Sequence, residues 1–123
     1  MIKQERYIER NAGQEVQLAW PGALWIKMRD VGFPDRLVIL PGGKMLFIEF
    51  KSPTGTLRPA QRAIISTLQR LGVPVYVCST TREALAACKR HAPPPTTRKR
   101  RDPKAQAAAP VLEAGRREDG GNA

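Results

Sequence analysis

Hydrophobic and polar positions alternate along this chain at two different periods. Residues 3–19 set Tyr7, Ile8, Val16 and Leu18 among charged and amide side chains, which predicts a helix or two short helical pieces with a break at Asn11-Ala12-Gly13. After a turn at Trp20-Pro21-Gly22, residues 24–28 have the apolar, aromatic and β-branched content of a strand. Residues 36–40 and 45–51 then flank Pro41-Gly42-Gly43-Lys44, whose glycines supply the positive φ that tight hairpins need. Pro59 suits a first helical turn, and Ile64, Ile65, Leu68 and Leu71 recur at helical spacing up to Gly72. A strand over residues 73–78 follows, and Thr80 with Glu83 has the spacing of a capping box ahead of a last helix ending near Arg90. The order is helix, strand, strand, strand, helix, strand, helix. It implies an α/β architecture in which helices cover a mixed sheet.

From residue 93 the pattern stops. A proline run, the basic stretch 98–101, alanines and a glycine-rich end cannot offset their ordering entropy by apolar burial. The expected organisation is one domain over residues 1–92 and a disordered basic tail over residues 93–123.

Charge adds a partner class to this outline. Lys and Arg number 21 against 11 Asp and Glu, a net +10. Residues 1–91 hold 14 cationic and 7 acidic side chains, so the folded part is itself basic. Such a surface favours phosphates through long-range electrostatics and counterion release, which points to nucleic acid. Cys78 and Cys88 are too few for a disulfide framework, so a reducing, cytoplasmic setting is expected. No apolar run approaches the roughly 20 residues that span a bilayer, and the charged start does not read as a signal peptide.

The chemistry is carried by the strand at 45–51. Alternation gives one face Leu46, Ile48 and Phe50 and the other Phe47, Glu49 and Lys51. A carboxylate and an ammonium ending an apolar strand are costly if buried unless they are paired or bind a metal. Asp35 starts the neighbouring strand and lies beside Glu49 and Lys51 if the chain turns at the two glycines. A symmetric turn would pair position 35 with Phe50 and aim Asp35 at the core. A one-residue shift, through a three-residue loop or a glycine bulge, opposes it to Glu49 or Lys51 instead. We expect the shift. Two converging carboxylates suit a hard divalent cation, which would polarise a phosphodiester, and Lys51 would orient water or stabilise developing charge.

Each residue also has a plainer reading. Asp35 after a proline is a common turn residue, Glu49 and Lys51 make an ordinary cross-strand ion pair, and Gln61 alone is a surface amide. His91, the sole histidine, is expected to be solvated at a helix end. Cys78 and Cys88 read as small core residues, and Trp20 and Trp25 as core or dimer-interface anchors.

Taken jointly, Gly32-Phe33-Pro34-Asp35-Arg36, Phe47-Ile48-Glu49-Phe50-Lys51, Gly55 and Gln61 resemble the VRR-NUC (virus-type replication-repair nuclease) family of the PD-(D/E)XK superfamily, over roughly residues 5–80. The likeness is to its stand-alone viral and phage members. It implies a restriction-endonuclease-like fold, a Mg²⁺ or Mn²⁺ cofactor and DNA, often a Holliday junction or other branched form, cut by a homodimer. It also implies a catalytic set of Asp35, Glu49, Lys51 and Gln61. A first-helix acid, Glu5 or Glu9, would join Asp35 and Glu49 on the metal. The two glutamates are four apart and so share a helical face. Arg36, Arg58 and Arg62, with Lys99 and Arg100 in the tail, are the candidate phosphate contacts. The competing expectations are a non-catalytic nucleic-acid-binding module on the same fold and an assembly protein with a coincidental motif.

Overall fold

The structure, a computed structural model, describes residues 3–95. Three helices, α1 (Lys3–Ala19), α2 (Pro59–Arg70) and α3 (Thr81–Lys89), surround four strands, β1 (Leu24–Lys27), β2 (Arg36–Leu40), β3 (Lys44–Phe50) and β4 (Val75–Cys78). The sheet order is β1-β2-β3-β4. The first two pairings are antiparallel and β3 runs parallel to β4, reached through α2. The expected α/β architecture with a mixed sheet is therefore present.

The core lies on one side of this sheet. Val38, Leu40, Leu46, Ile48, Phe50 and Cys78 point from the strands toward Ala12 and Val16 of α1 and Ala84, Ala87 and Cys88 of α3, all buried. Full burial of each larger side chain contributes roughly 1.5–3 kcal/mol. The small residues on α1 and α3 let both helices approach closely. Trp20 belongs to this core, and its indole N–H donates to the carbonyl of Pro93 at 2.8 Å. The chain is thus tied to the core one residue past the boundary expected at 92. The basic run at 98–101 lies outside the described residues.

The hairpin has the shifted register. Leu40 pairs with Lys44 and Arg36 with Ile48, which leaves a three-residue loop, Pro41–Gly43, forming a turn of 3-10 helix. Gly42 and Gly43 stand at φ of 86° and 76°, where a side chain would be strained. Counting back one more residue places Asp35 opposite Glu49.

Of the two readings left open for residues 3–19, the single helix is the one present, running unbroken from Lys3 to Ala19. Gly13 is there for close approach. A Cβ at this position would stand 2.5 Å from the Trp25 indole nitrogen, so the missing side chain is what lets β1 lie against α1. Smaller corrections concern α2 and its neighbours. Leu71 sits at the C-cap, 74% exposed, outside the apolar stripe assigned to it, and β4 begins at Val75, after Pro74. The Thr80 cap is as expected, its hydroxyl accepting from Glu83 N–H at 3.0 Å, while the Glu83 carboxylate reaches Ser79 N–H. Among the described residues no helix is long and apolar enough to cross a membrane.

Candidate active site

Three segments far apart in sequence meet behind the sheet face that does not carry the core. β3 brings Glu49, and at 2% exposure its carboxylate needs partners. Its Oε1 accepts from the backbone N–H of Asp35 at 3.2 Å. Its Oε2 accepts from Gln61 Nε2 at 2.9 Å and lies 3.6 Å from Lys51 Nζ. Asp35, at the head of β2, uses Oδ2 to accept from the Phe50 N–H at 2.8 Å. Among the described residues no hydrogen-bond donor meets its Oδ1. The four residues expected to act together, Asp35, Glu49, Lys51 and Gln61, form one bonded cluster.

Local sequence explains how Gln61 is delivered. Pro59 opens α2 at a position where a missing N–H costs nothing, which makes Gln61 the third helical residue. Its Oε1 accepts from the Arg58 N–H at 2.9 Å while its Nε2 grips Glu49. One amide thus caps its own helix and fixes a carboxylate on the sheet.

The electrostatics mark this cluster as short of positive charge. Burial pushes Glu49 up to about 7, the Asp35 charge pushes the same way, and Lys51, Gln61 and the Asp35 N–H oppose them. Asp35 is also raised, chiefly by burial and further by Glu9, against the Phe50 N–H, Lys27 and Lys51. Two carboxylates in one buried place with one ammonium are relieved by a divalent cation. Among the described residues no three His, Cys, Asp or Glu side chains are gathered to hold a metal on their own. The acid pair nonetheless fits Mg²⁺ or Mn²⁺, since magnesium-type sites take one or two carboxylates and leave the other positions to water and phosphate.

The first-helix glutamates are both buried, but each serves a different neighbour. Glu5 accepts from the Ser52 N–H at 2.9 Å, fastening the chain just after Lys51 to α1. Glu9 sits between Arg36 Nε and Lys27 Nζ, the latter at 3.3 Å, and its charge reaches Asp35. Glu9 is therefore the acid nearer the pair in electrostatic effect. Lys27 was missed at the sequence level. The signal was the β1–β2 register, which sets Lys27 opposite Arg36 and so demands an acid beside two like charges.

The candidate phosphate contacts divide. Arg36 is taken up by protein, pairing with Glu9, donating to the Trp25 carbonyl at 3.2 Å and lying 5.6 Å over the Trp25 ring. Arg58 and Arg62 are exposed at the start of α2 beside Gln61. Lys99 and Arg100 lie outside the described residues. His91 is not simply solvated, because its Nε2 lies 2.7 Å from the Tyr76 hydroxyl. Cys78 and Cys88 are buried free thiols, each pushed up to about 12 by burial.

Comparison with known proteins bears on the family and the fold. The family model described as "VRR-NUC domain" matches residues 3–82. A solved structure titled "VRR_NUC domain" superposes with a TM-score of 0.64 and 24% sequence identity, covering 72% of this chain and 97% of that one. At that identity the likeness speaks for the fold. Comparison with curated proteins returns no match.

Proposed function

This chain belongs to the VRR-NUC family, whose fold is of nuclease type, and from that premise we propose that it is a divalent-metal-dependent DNA endonuclease. The observation that carries the reading is the convergence of Asp35, Glu49, Lys51 and Gln61 on one buried, acid-rich point beside a basic surface. A pure binding surface has no use for carboxylates that repel phosphate.

Asp35 and Glu49 would hold a Mg²⁺ or Mn²⁺ ion, which supplies Lewis-acid polarisation of the phosphate and a more acidic water. The chain's own residues do the rest. Gln61 and the Asp35 N–H fix both oxygens of Glu49, so the acid pair is set before substrate arrives. Lys51 projects from the same face as Glu49, close enough to orient a water for attack and to stabilise charge growing on the phosphoryl oxygens. Glu9, held between Arg36 and Lys27, sets a negative charge near Asp35 from the α1 side and so adds to the need for a cation there.

Branched or junction DNA cut by a homodimer is the finer form of the proposal. It rests on the resemblance of the motif residues to the stand-alone members, while the net +10 charge supports only DNA as the partner. A panel of labelled linear and branched DNAs with Mg²⁺ or Mn²⁺, comparing wild type with Lys51→Ala, tests both levels. Loss of one preorganised cation is expected to lower the rate about 100-fold or more with the fold intact. Binding without cleavage in either metal would replace the nuclease with a nucleic-acid-binding module, and a strict monomer on DNA would remove the dimer.

A further inference from the structure

Glu9 and Lys27 also line a groove of about 770 Å³ between α1 and β1, which the cluster above does not use. Its helical wall is built by spacing. Lys3, Tyr7, Arg10, Gln14 and Gln17 recur every three or four residues and form one stripe along α1, beside the buried stripe of Glu5, Glu9, Ala12 and Val16. Trp25, drawn in by Gly13, lies against the helix from the strand side.

The charge of the groove is one-sided. Lys3, Arg6, Arg10, Lys27 and Arg36 line it, and Glu9 is the lone acid among its lining residues, already matched by Lys27 and Arg36. Lys3, Arg6 and Arg10 are exposed on the wall, and Lys3 to Arg10 rises about 10 Å along the helix, room for two or three phosphates of one strand. Between them stands Tyr7, 60% exposed. An aromatic ring held in water among cations is what an unpaired base stacks upon, whereas a duplex keeps its bases out of reach. The groove ends one residue from the acid pair, because Arg36 on its lining directly follows Asp35 at the head of β2.

We propose that the α1–β1 groove is the track of a single DNA strand, with Lys3 and Arg10 on its phosphates and Tyr7 under a base, delivering that strand toward Asp35 and Glu49. This rests on the nuclease reading for its substrate class. It assigns to the enzyme a DNA that carries an unpaired arm.

The test is fluorescence anisotropy of the full chain in EDTA, with a short labelled oligothymidylate and a duplex of the same length. Lys3→Ala with Arg10→Ala is expected to weaken oligothymidylate binding about 10-fold at low salt and to lower the log–log salt slope by about 1.4, at roughly 0.7 per phosphate of a single strand. Tyr7→Ala should weaken it at least about 5-fold with the slope unchanged, Tyr7→Phe should restore it, and duplex binding should not feel Tyr7. All three side chains are exposed, so unchanged melting of the variants confirms an intact fold. Wild-type affinity in these variants, a duplex that binds tighter than the single strand, or an oligouridylate that binds tighter than oligothymidylate overturns the proposal. Failure of the nuclease reading looks different. The binding pattern would hold in EDTA while no DNA was cut with Mg²⁺ or Mn²⁺.

Discussion

The backbone N–H of Asp35 donates to the Glu49 carboxylate at 3.2 Å, across fourteen positions of sequence. The Asp35 carboxylate in turn accepts from the N–H of Phe50, the residue after Glu49. Each acid is therefore fixed by main chain of the strand that carries the other, and the pair is as rigid as the β2–β3 ladder itself. Rigidity of this kind places charge before a substrate arrives, which is where electrostatic catalysis gains most.

Gln61 is the side-chain part of that support. Gln61→Ala removes one hydrogen bond to a buried carboxylate, so a stability loss of about 1–3 kcal/mol is expected. Cleavage should fall by roughly 10-fold or more as Glu49 loses its fixed position. Gln61→Glu would set a second carboxylate beside Oε2 and should be worse at neutral pH than at pH 5. Comparing both variants by denaturant melts and by cleavage rate decides it, and equal behaviour of the two at both pH values would contradict this role.

Glu49 also makes stability depend on pH in a direction opposite to that of an ordinary paired carboxylate. It titrates at about 7 in the fold against 4.5 for the reference carboxyl. Between those values the folded chain keeps a proton that the unfolded chain has released. Its contribution is thus complete below about pH 4.5 and is lost as pH rises through 7. Without divalent ions, stability should fall by roughly 1–3 kcal/mol over that window, with Asp35 adding in the same sense. Glu49→Gln should flatten the curve, and Mg²⁺ should stabilise wild type more at pH 8 than at pH 5. Parallel wild-type and Glu49→Gln profiles in EDTA would contradict the assignment.

Gly13→Ala sets two effects against each other. Alanine favours the helix by about 1 kcal/mol, but its Cβ would meet a Trp25 ring held by Phe50 and Arg36. Overpacking of this kind costs typically 1–3 kcal/mol, so net destabilisation with a changed Trp25 fluorescence spectrum is expected. A variant more stable than wild type would show that the ring moves freely.

The cationic run 98–101 is expected to add phosphate affinity that is not specific for sequence. Truncation is best made after Pro95, because the Pro93 carbonyl serves Trp20. The full chain should show a steeper loss of DNA affinity with salt than the truncated one. Equal slopes would assign the run no role in binding.

The parts of this molecule that were readable in the sequence are those fixed by local chemistry. Pro41-Gly42-Gly43 announced the hairpin, Thr80 and Glu83 the start of α3, and Pro59 the start of α2. Strand alternation put Glu49 and Lys51 on one face, and the need for a shifted register to bring Asp35 there was legible before the three-residue loop was seen. What was hidden depends on contacts between distant elements. Gly13 looks like a helix breaker until Trp25 is known to lie on it. Glu5 and Glu9 look equivalent until Ser52 reaches the one and β1 and β2 bring Lys27 and Arg36 to the other, and His91 looks idle until Tyr76 reaches it. The stripe of Lys3, Tyr7 and Arg10 was present at helical spacing, but nothing local showed that Trp25 and Lys27 would lie beside it and make it the wall of a groove.

The three residues of the hairpin loop also govern how this gene can change length. A single-codon change between Leu40 and Lys44 that was absorbed by slipping β2 one step against β3 would turn Asp35 from the acid side to the core side. The same step would carry Val38 and Leu40 off the core face, so folding and acid pairing would fail together. Natural insertions and deletions at this tip should accordingly keep Leu40 opposite Lys44, which makes that one pairing the trait that selection on folding and on catalysis would preserve alike.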